Sequence, residues 1–154
     1  MEVEGTAVIK RPIAAVWDFY AVHHVANHPR WDPDMALEQV TSGPIGVGTV
    51  ITRHNTRFGE SVDGSMEVTQ FDAPRVMGVR IRDGETEMLG RGVLTPDGPT
   101  WTRLTIHVEI PGAPPSMAER LGPFVQRSVE TIKRLVEAET RAESSAESKA
   151  ESTA

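Results

Sequence analysis

Apolar and polar residues alternate with a period of two through much of the chain, in the segments "VEGTAVIK", "SMEVTQF", "RVMGVRIR" and "TRLTIHVEI". This alternation is typical of antiparallel strands that bury one face. The turn signals "SGPIGVG", "DAP", "RDGE" and "TPDGP" separate the segments. A glycine inside a strand weakens it, so Gly64, Gly78, Gly90 and Gly92 indicate a sheet that bends sharply.

A helical period replaces the alternation in residues 114–140, where one apolar stripe lies opposite a charged face. Pro123 removes a backbone donor and follows Gly122, so we expect a kink there or a helix that starts again at that point. A short helix is also predicted in "RPIAAVWDFY", with Pro12 in its first position. The predicted order is a strand, one or two short helices, about six strands and a long helix. This is an α+β fold in which a curved antiparallel sheet of about seven strands wraps around the C-terminal helix.

The last residues, "AESSAESKAESTA", contain no side chain that is both larger and more apolar than alanine. Such a segment cannot support packing. We therefore expect one folded domain over residues 1–141, which suits a chain of 154 residues. Residues 142–154 are predicted to form a disordered tail or a fraying helix end.

Composition and charge exclude several classes of function. The chain has no cysteine, which removes disulfides, thiol nucleophiles and cysteine-ligated metals. Its net charge is −6 and no cluster of Lys and Arg exceeds a pair, so we expect no nucleic-acid partner. The N-terminus lacks the pattern of a signal or transit peptide, and no apolar run approaches the roughly 20 residues of a membrane helix. We expect a cytoplasmic protein without membrane insertion.

Several motifs, in this order, carry a resemblance to a known family. They are the opening strand followed by Pro-x-x-x-Val-Trp at Pro12, Val16 and Trp17, then "HPRWDPD" around Trp31, "GPIGVGT", "FDAPRVM", "LTPDGPTWTRLTI" and the closing amphipathic helix. The chain resembles the START-like, or SRPBCC, superfamily over residues 2–138, and within it the bacterial polyketide cyclase/dehydrase family. The resemblance implies a helix-grip fold with two short helices after the first strand.

The resemblance also implies a deep, mostly apolar cavity between the long helix and the concave face of the sheet. Members of the superfamily bind lipids, plant hormones, polyketide intermediates or quinones, and a minority catalyse cyclisation or dehydration. Strand alternation and helical spacing, together with the capping short helices that the resemblance implies for Tyr20 and Trp31, predict these residues around such a cavity: Tyr20, Trp31, Val50, Thr52, His54, Met66, Val68, Met77, Val79, Met88, Leu104, Ile106, Leu121, Phe124, Val125 and Ser128. The methionines among them would provide an adaptable apolar lining.

Within this set His54 is the candidate for chemistry. In "TVITRHNTRF" it shares a strand face with Val50, Thr52 and Phe58, which we take as the concave face. A buried histidine needs a polar partner, and it would orient a ligand or act as an acid or base. The alternative is that a bulge reverses the strand and leaves His54 in solvent. Both faces of this strand carry polar residues, so the pattern does not decide which face is buried.

His24 and His28 lie four residues apart, the spacing at which two imidazoles on one helix face share a metal. The segment "HVANH" lacks the glutamate of a metalloprotease helix, and Asp32 is the nearest carboxylate for a third ligand. We therefore predict no metal and no cofactor. We expect polar residues on a short exposed helix, with Trp31 packed into the core or the cavity rim.

No convergent catalytic set is visible, and the sequence has neither a phosphate-binding loop nor a Gly-x-Ser-x-Gly motif. We expect the protein to bind a small hydrophobic molecule, such as a lipid, an aromatic polyketide-like molecule or a quinone-like molecule. One alternative is a cyclase or dehydratase that uses the same cavity. Another is a regulatory module that binds a protein partner.

Overall fold

A computed structural model describes the backbone of residues 1–57 and 59–153 and the side chains of residues 1–57 and 59–139. Its strands are β1 (Glu2–Ile9), β2 (Met35–Gln39), β3 (Val50–Asn55), β4 (Val62–Asp72), β5 (Val76–Asp83), β6 (Thr86–Pro96) and β7 (Thr102–Glu109). Its helices are α1 (Ile13–Trp17), α2 (His24–Trp31) and α3 (Met117–Thr153), and a π-helical turn (Asp18–Val22) joins α1 to α2.

The strands form one antiparallel sheet in the order β1-β7-β6-β5-β4-β3-β2. Consecutive strands are neighbours from β2 to β7, and only β1 joins the sheet out of sequence, beside β7. The α+β helix-grip architecture predicted from the sequence is confirmed, with short helices after β1 and a long helix at the C-terminal end. No helix in the described ranges is long and apolar enough to cross a membrane.

The inner face of the sheet is built by the alternation seen in the sequence. Leu104 pairs with Ala7 on one side and Leu94 on the other, and Val68 pairs with Val79. The apolar stripe of α3 packs on this face through residues that are almost completely buried: Val125, Val129, Ile132 and Val136. Hydrophobic burial along this contact is the main favourable term in folding.

Helix α3 lies close to the edge strand β1. A Cβ at Gly5 would lie 2.9 Å from the Cα of Gln126, so only glycine permits this approach. The Gln126 side chain accepts from the N–H of Thr6 at 3.0 Å and donates to its carbonyl at 3.0 Å. These bonds satisfy backbone groups that an edge strand would otherwise leave open. The helix continues through Pro123 as one element, so it does not start again there.

Strand β3 faces the opposite way from the prediction. Its buried residues are Ile51, Arg53 and Asn55. Ile51 pairs with buried Met66, whereas the residues predicted to face inward pair with exposed positions of β4. The prediction was therefore wrong for Val50, Thr52 and His54. The inward orientation buries Ile51 completely, and it gives the buried Arg53 a carboxylate partner, described below, which compensates part of the cost of burying its charge.

Two predictions fall outside the described part of the chain. The first is that Phe58 shares the inward face of its strand, and Phe58 is not among the described residues. The second is that the tail does not pack against the domain; the side chains of residues 142–154 are not described either, so both stay predictions.

Candidate functional site

A cavity of about 130 Å³ lies between the inner face of the sheet, the first half of α3 and helix α2. Among the predicted residues, those that line it are Tyr20, Trp31, Met66, Val79, Met88, Ile106, Leu121, Phe124, Val125 and Ser128. Three other predicted residues, Val68, Met77 and Leu104, lie on the same face of the sheet but are packed into the hydrophobic core. They do not line the cavity, because Tyr20 and Trp17 fill that half of the interior.

A wider groove of about 630 Å³ crosses the strands β1, β7, β6 and β5 and reaches β4. Its walls include the charged or polar side chains of Glu4, Arg91 and His107, and the His107 side chain is 44% exposed. Since ligand sites are concave and mostly apolar, we take the inner cavity as the candidate site.

One end of the cavity is polar, and helix α2 supplies most of its groups. His24 and His28 lie four residues apart on one face of α2, and Asp32 follows directly after the last residue of the helix, four positions beyond His28. His24 Nδ1 donates to the carbonyl of Tyr20 at 2.8 Å, and His28 Nδ1 lies 3.1 Å from His24 Nε2. His28 Nε2 is 3.7 Å from Asp32 Oδ2. The three side chains therefore form a row that ends at a carboxylate.

Trp31 holds this row in place from the side. Its indole stacks on the His28 ring at a centroid distance of 5.0 Å and on the Tyr20 ring at 5.9 Å. The His24 ring meets the same indole edge-on at 5.5 Å. Aromatic pairs at these distances stabilise beyond their buried area, so the imidazoles have little freedom to rotate away from the cavity.

Burial decides the protonation of the two histidines. Burial lowers the pKa of His24 to about 3, and the nearby His28 adds to this effect. His24 is therefore neutral near pH 7, with its proton on Nδ1 because the Tyr20 carbonyl can only accept. His28 Nδ1 must then donate to His24 Nε2. Burial also lowers the pKa of His28, although Asp32 acts in the opposite direction.

Asp32 is the charged end of the row, with a side chain only 3% exposed. Burial alone would raise the pKa of this carboxyl group, but His28, whenever its ring is protonated, and the Arg57 guanidinium outweigh burial and keep the pKa below its usual value. Arg57 Nη2 donates to Asp32 Oδ2, and its guanidinium lies 3.9 Å from the centre of the Phe124 ring. Arg57 therefore joins the polar end to the helix that forms the opposite wall.

A second buried ion pair lies beside the first. Arg53 Nε is 2.9 Å from Asp83 Oδ1, and Arg53 Nη2 donates to Asp83 Oδ2 at 3.0 Å. Gly64 lies between them in the sheet, opposite both residues, and a Cβ at this position would overlap the Asp83 carboxylate. The glycine therefore leaves the space through which the two charges meet. With two arginines and two aspartates, the polar end has no net charge when both histidines are neutral.

The prediction of a short exposed helix with polar residues was wrong for His24, which is buried, and for His28, whose side chain is 15% exposed. Both line the cavity. Their nitrogens bond to each other instead of converging on an ion. Among the side chains of residues 1–57 and 59–139, no group of three or more His, Cys, Asp or Glu is placed to hold a metal.

His54 lies outside the cavity on the other face of the sheet, with 46% of its side chain exposed. Its Nδ1 is 2.6 Å from Asp63 Oδ1, and its Nε2 is 2.9 Å from Ser61 Oγ. The contacts resemble a serine hydrolase triad in their order. The Asp63 side chain is 89% exposed, so water competes for every bond of the group. This arrangement supports no role for His54 in the cavity.

Sequence reasoning missed six polar residues of the lining: His24, His28, Asp32, Arg53, Arg57 and Arg91. One signal was available for the two histidines. Trp31 was predicted to face the interior, and residues three and seven positions before it lie on the same side of a helix. Arg53 and Arg57 gave no such signal, because their carboxylate partners are distant in sequence.

Comparisons with known proteins agree with the fold. The sequence model of a family described as "Polyketide cyclase / dehydrase and lipid transport" matches residues 1–137. The comparison with curated proteins finds no match.

Three solved structures illustrate the likeness in fold. The Zhui aromatase/cyclase from Streptomyces sp. R1128 has a TM-score of 0.72 and 20% identity, covering 92% of this chain and 96% of that chain. The di-domain ARO/CYC BexL from the BE-7585A biosynthetic pathway has a TM-score of 0.70 and 19% identity, covering 89% of this chain and 46% of that chain. Ara h 8.0201 has a TM-score of 0.67 and 17% identity, covering 88% of this chain and 97% of that chain. Identities this low establish the shared architecture alone.

Proposed function

The chain belongs to the polyketide cyclase/dehydrase and lipid transport family, and from this premise we propose that it binds a small hydrophobic molecule between α3 and the sheet. Lipid, aromatic polyketide-like and quinone-like molecules are the ligand classes that fit the proposal. The observation that carries it is a cavity with apolar walls and a single polar end. An apolar pocket with a few convergent polar groups is the usual form of a small-molecule site.

The size of the cavity limits what enters it without movement. Its volume of about 130 Å³ is close to that of an engineered apolar cavity of about 150 Å³ that binds benzene. Pockets that bind drug-sized ligands have volumes of about 300–1,000 Å³. The cavity as it stands therefore suits a molecule of one ring, or one ring of a larger molecule. A lipid or a polycyclic ligand requires the first turns of α3, around Gly122, to move away from the sheet.

Ligand titration followed by NMR tests the proposal. A single-ring aromatic such as toluene should bind the wild-type protein with a Kd below about 1 mM, roughly −4 kcal/mol. It should shift the Trp31 indole resonance and the amide of Ser128. Ser128→Trp should abolish these shifts by filling the cavity, and Ser128→Leu should weaken binding less. Arg127→Trp adds the same ring on the exposed side of α3 and should bind like the wild type. Binding that survives Ser128→Trp would overturn the proposal.

A second candidate function is a cyclase or dehydratase that uses the same cavity. The observation that favours it is the position of His28, Asp32 and Arg57 in the lining. An ionised carboxylate beside a guanidinium suits the removal of a proton from carbon next to a carbonyl group, because the guanidinium stabilises the oxyanion that forms.

Hydrogen exchange on a small ketone tests the enzymatic candidate. Acetophenone in D₂O should exchange its methyl hydrogens for deuterium faster with the protein than with buffer alone, and Asp32→Asn should remove the acceleration. Asp63→Asn makes the same change at an exposed position and should leave it unaltered. An exchange rate equal to that of buffer would leave the binding function as the sole candidate.

A further inference from the structure

The polar end of the cavity contains a carboxylate oxygen with no partner. Asp32 Oδ2 accepts from Arg57, but Asp32 Oδ1 is buried and makes no hydrogen bond to any described residue. A buried acceptor without a donor is costly, and native proteins satisfy nearly all such groups with protein, water or ligand. The Asp32 side chain lines the cavity, so whatever occupies the cavity is in a position to supply the missing donor.

His28 offers a second acceptor on the same side. Its Nδ1 donates to His24, so in the neutral ring Nε2 carries a lone pair. That nitrogen is 3.7 Å from Asp32 Oδ2, which is longer than a hydrogen bond. The polar end therefore presents acceptors from both His28 and Asp32, and a hydroxyl group is complementary to them.

Charge narrows the class of ligand further. The positive charges of Arg57 and Arg53 are already neutralised by Asp32 and Asp83, so a buried carboxylate or phosphate on a ligand would add a charge without a counter-charge at this end. Desolvating an unpaired anion is strongly unfavourable. An ammonium group would face the guanidinium of Arg57. A neutral donor avoids both the desolvation of an anion and the repulsion between an ammonium group and Arg57. The buried Arg57 Nε makes no hydrogen bond to any described residue, and a hydroxyl oxygen can accept from it while its O–H donates.

We propose that the cavity selects a neutral, hydroxyl-bearing aromatic ring of the phenol class, whose O–H donates to Asp32 Oδ1 while its ring lies among Trp31, Phe124 and the aliphatic wall. This proposal rests on the proposed binding function and adds the chemistry of the recognised group. A phenol is a better donor to a carboxylate than an aliphatic alcohol, and its flat ring suits a cavity bordered by aromatic side chains.

The test compares phenol with toluene, which has the same shape and no donor. The quantity of interest is the ratio of the two dissociation constants, Kd for toluene over Kd for phenol, because each ligand's own hydrophobicity cancels when variants are compared. Asp32→Asn keeps the shape of the side chain. Its amide oxygen must face Arg57, so its NH₂ group takes the place of the free oxygen. The ratio should fall at least about tenfold in this variant. Asp63→Asn should keep the wild-type ratio.

A second measurement needs no variant and covers the case in which Asp32→Asn does not fold. In wild-type protein labelled with ¹³C, phenol should shift the Asp32 carboxyl carbon resonance and toluene should leave it in place. The proposal would be overturned if the ratio of the two dissociation constants were unchanged in Asp32→Asn, or if phenol and toluene had equal effects on this resonance. Either result would mean that a water molecule, and not the ligand, donates to Asp32 Oδ1. If neither ligand binds the wild-type protein, it is the binding function itself that fails.

Discussion

The ring of Tyr20 occupies the space where a side chain at Gly92 would project, and a Cβ at Gly92 would lie 2.5 Å from Tyr20 Cζ. Gly92 is in the middle of β6, between Met77 and Ile106 in the sheet. Tyr20 comes from the π-helical turn and is almost fully buried. The missing side chain in the strand thus lets an aromatic ring lie against the sheet, at the boundary between the hydrophobic core and the cavity.

We predict that Gly92→Ala lowers the free energy of unfolding by about 1–3 kcal/mol, the usual cost of overpacking a core. In a Tyr20→Leu background the same substitution should cost less, because the ring it collides with is gone. Gly46→Ala is the matched control, since a Cβ there has nothing within 4 Å and it should change stability by less than about 0.5 kcal/mol. Urea denaturation of the four variants measures these differences. Equal losses in both backgrounds would contradict the contact with Tyr20.

Breaking the Arg53–Asp83 pair should be costly. Asp83→Asn leaves the buried guanidinium of Arg53 without its counter-charge, and we expect the free energy of unfolding to fall by about 3–5 kcal/mol. Glu87→Gln removes a carboxylate from Arg80 in an exposed pair at 3.7 Å, and it should cost less than about 1 kcal/mol. Thermal and urea denaturation compare the two. A small loss for Asp83→Asn would mean that water reaches Arg53 in the native state.

Stability should fall on acidification because of His24. Its pKa is 6.5 in the unfolded chain and about 3 in the folded protein. Between these values the unfolded chain binds a proton that the folded protein does not, so the free energy of unfolding decreases by about 1.4 kcal/mol for each pH unit lost. The lowered pKa of Asp32 acts in the same direction at more acidic pH, where its carboxylate becomes protonated.

The variant His24→Asn isolates this contribution. Its amide can donate to the Tyr20 carbonyl in place of Nδ1, and it does not titrate. Urea denaturation from pH 7 to pH 4 should show a pH slope about one proton smaller than that of the wild type. An unchanged slope would mean that His24 is protonated in the folded protein or solvated in it.

The tail prediction is tested by truncation. Residues 142–154 lack apolar anchors in their sequence, so ending the chain after Arg141 should change the free energy of unfolding by less than about 0.5 kcal/mol, the scale of neutral surface changes. Calorimetry of the full-length and truncated chains measures the difference. A larger loss would show that the tail packs against the domain.

The sequence by itself determined the order of elements, the fold class and the inner faces of most strands. From Met77 to Ile81 in β5 and from Leu104 to Val108 in β7, every second residue is apolar and those between are glycine or polar, so one orientation alone buries the apolar set. The stripe of α3 was equally clear, because Val125, Val129, Ile132 and Val136 recur at helical spacing. Where apolar and polar residues fall on opposite faces of a strand or helix, the local sequence pattern is sufficient to predict which face is buried.

The tertiary structure alone decided the polar end of the cavity. Both faces of β3 carry polar residues, and the inward face was settled by Asp83, which the pairing of β3, β4 and β5 brings to Arg53 across Gly64. Asp32 likewise depends on Arg57, 25 positions away. A charged side chain is buried only where a partner compensates its lost hydration. That partner is set by strand register and helix packing, which no local pattern of residues encodes.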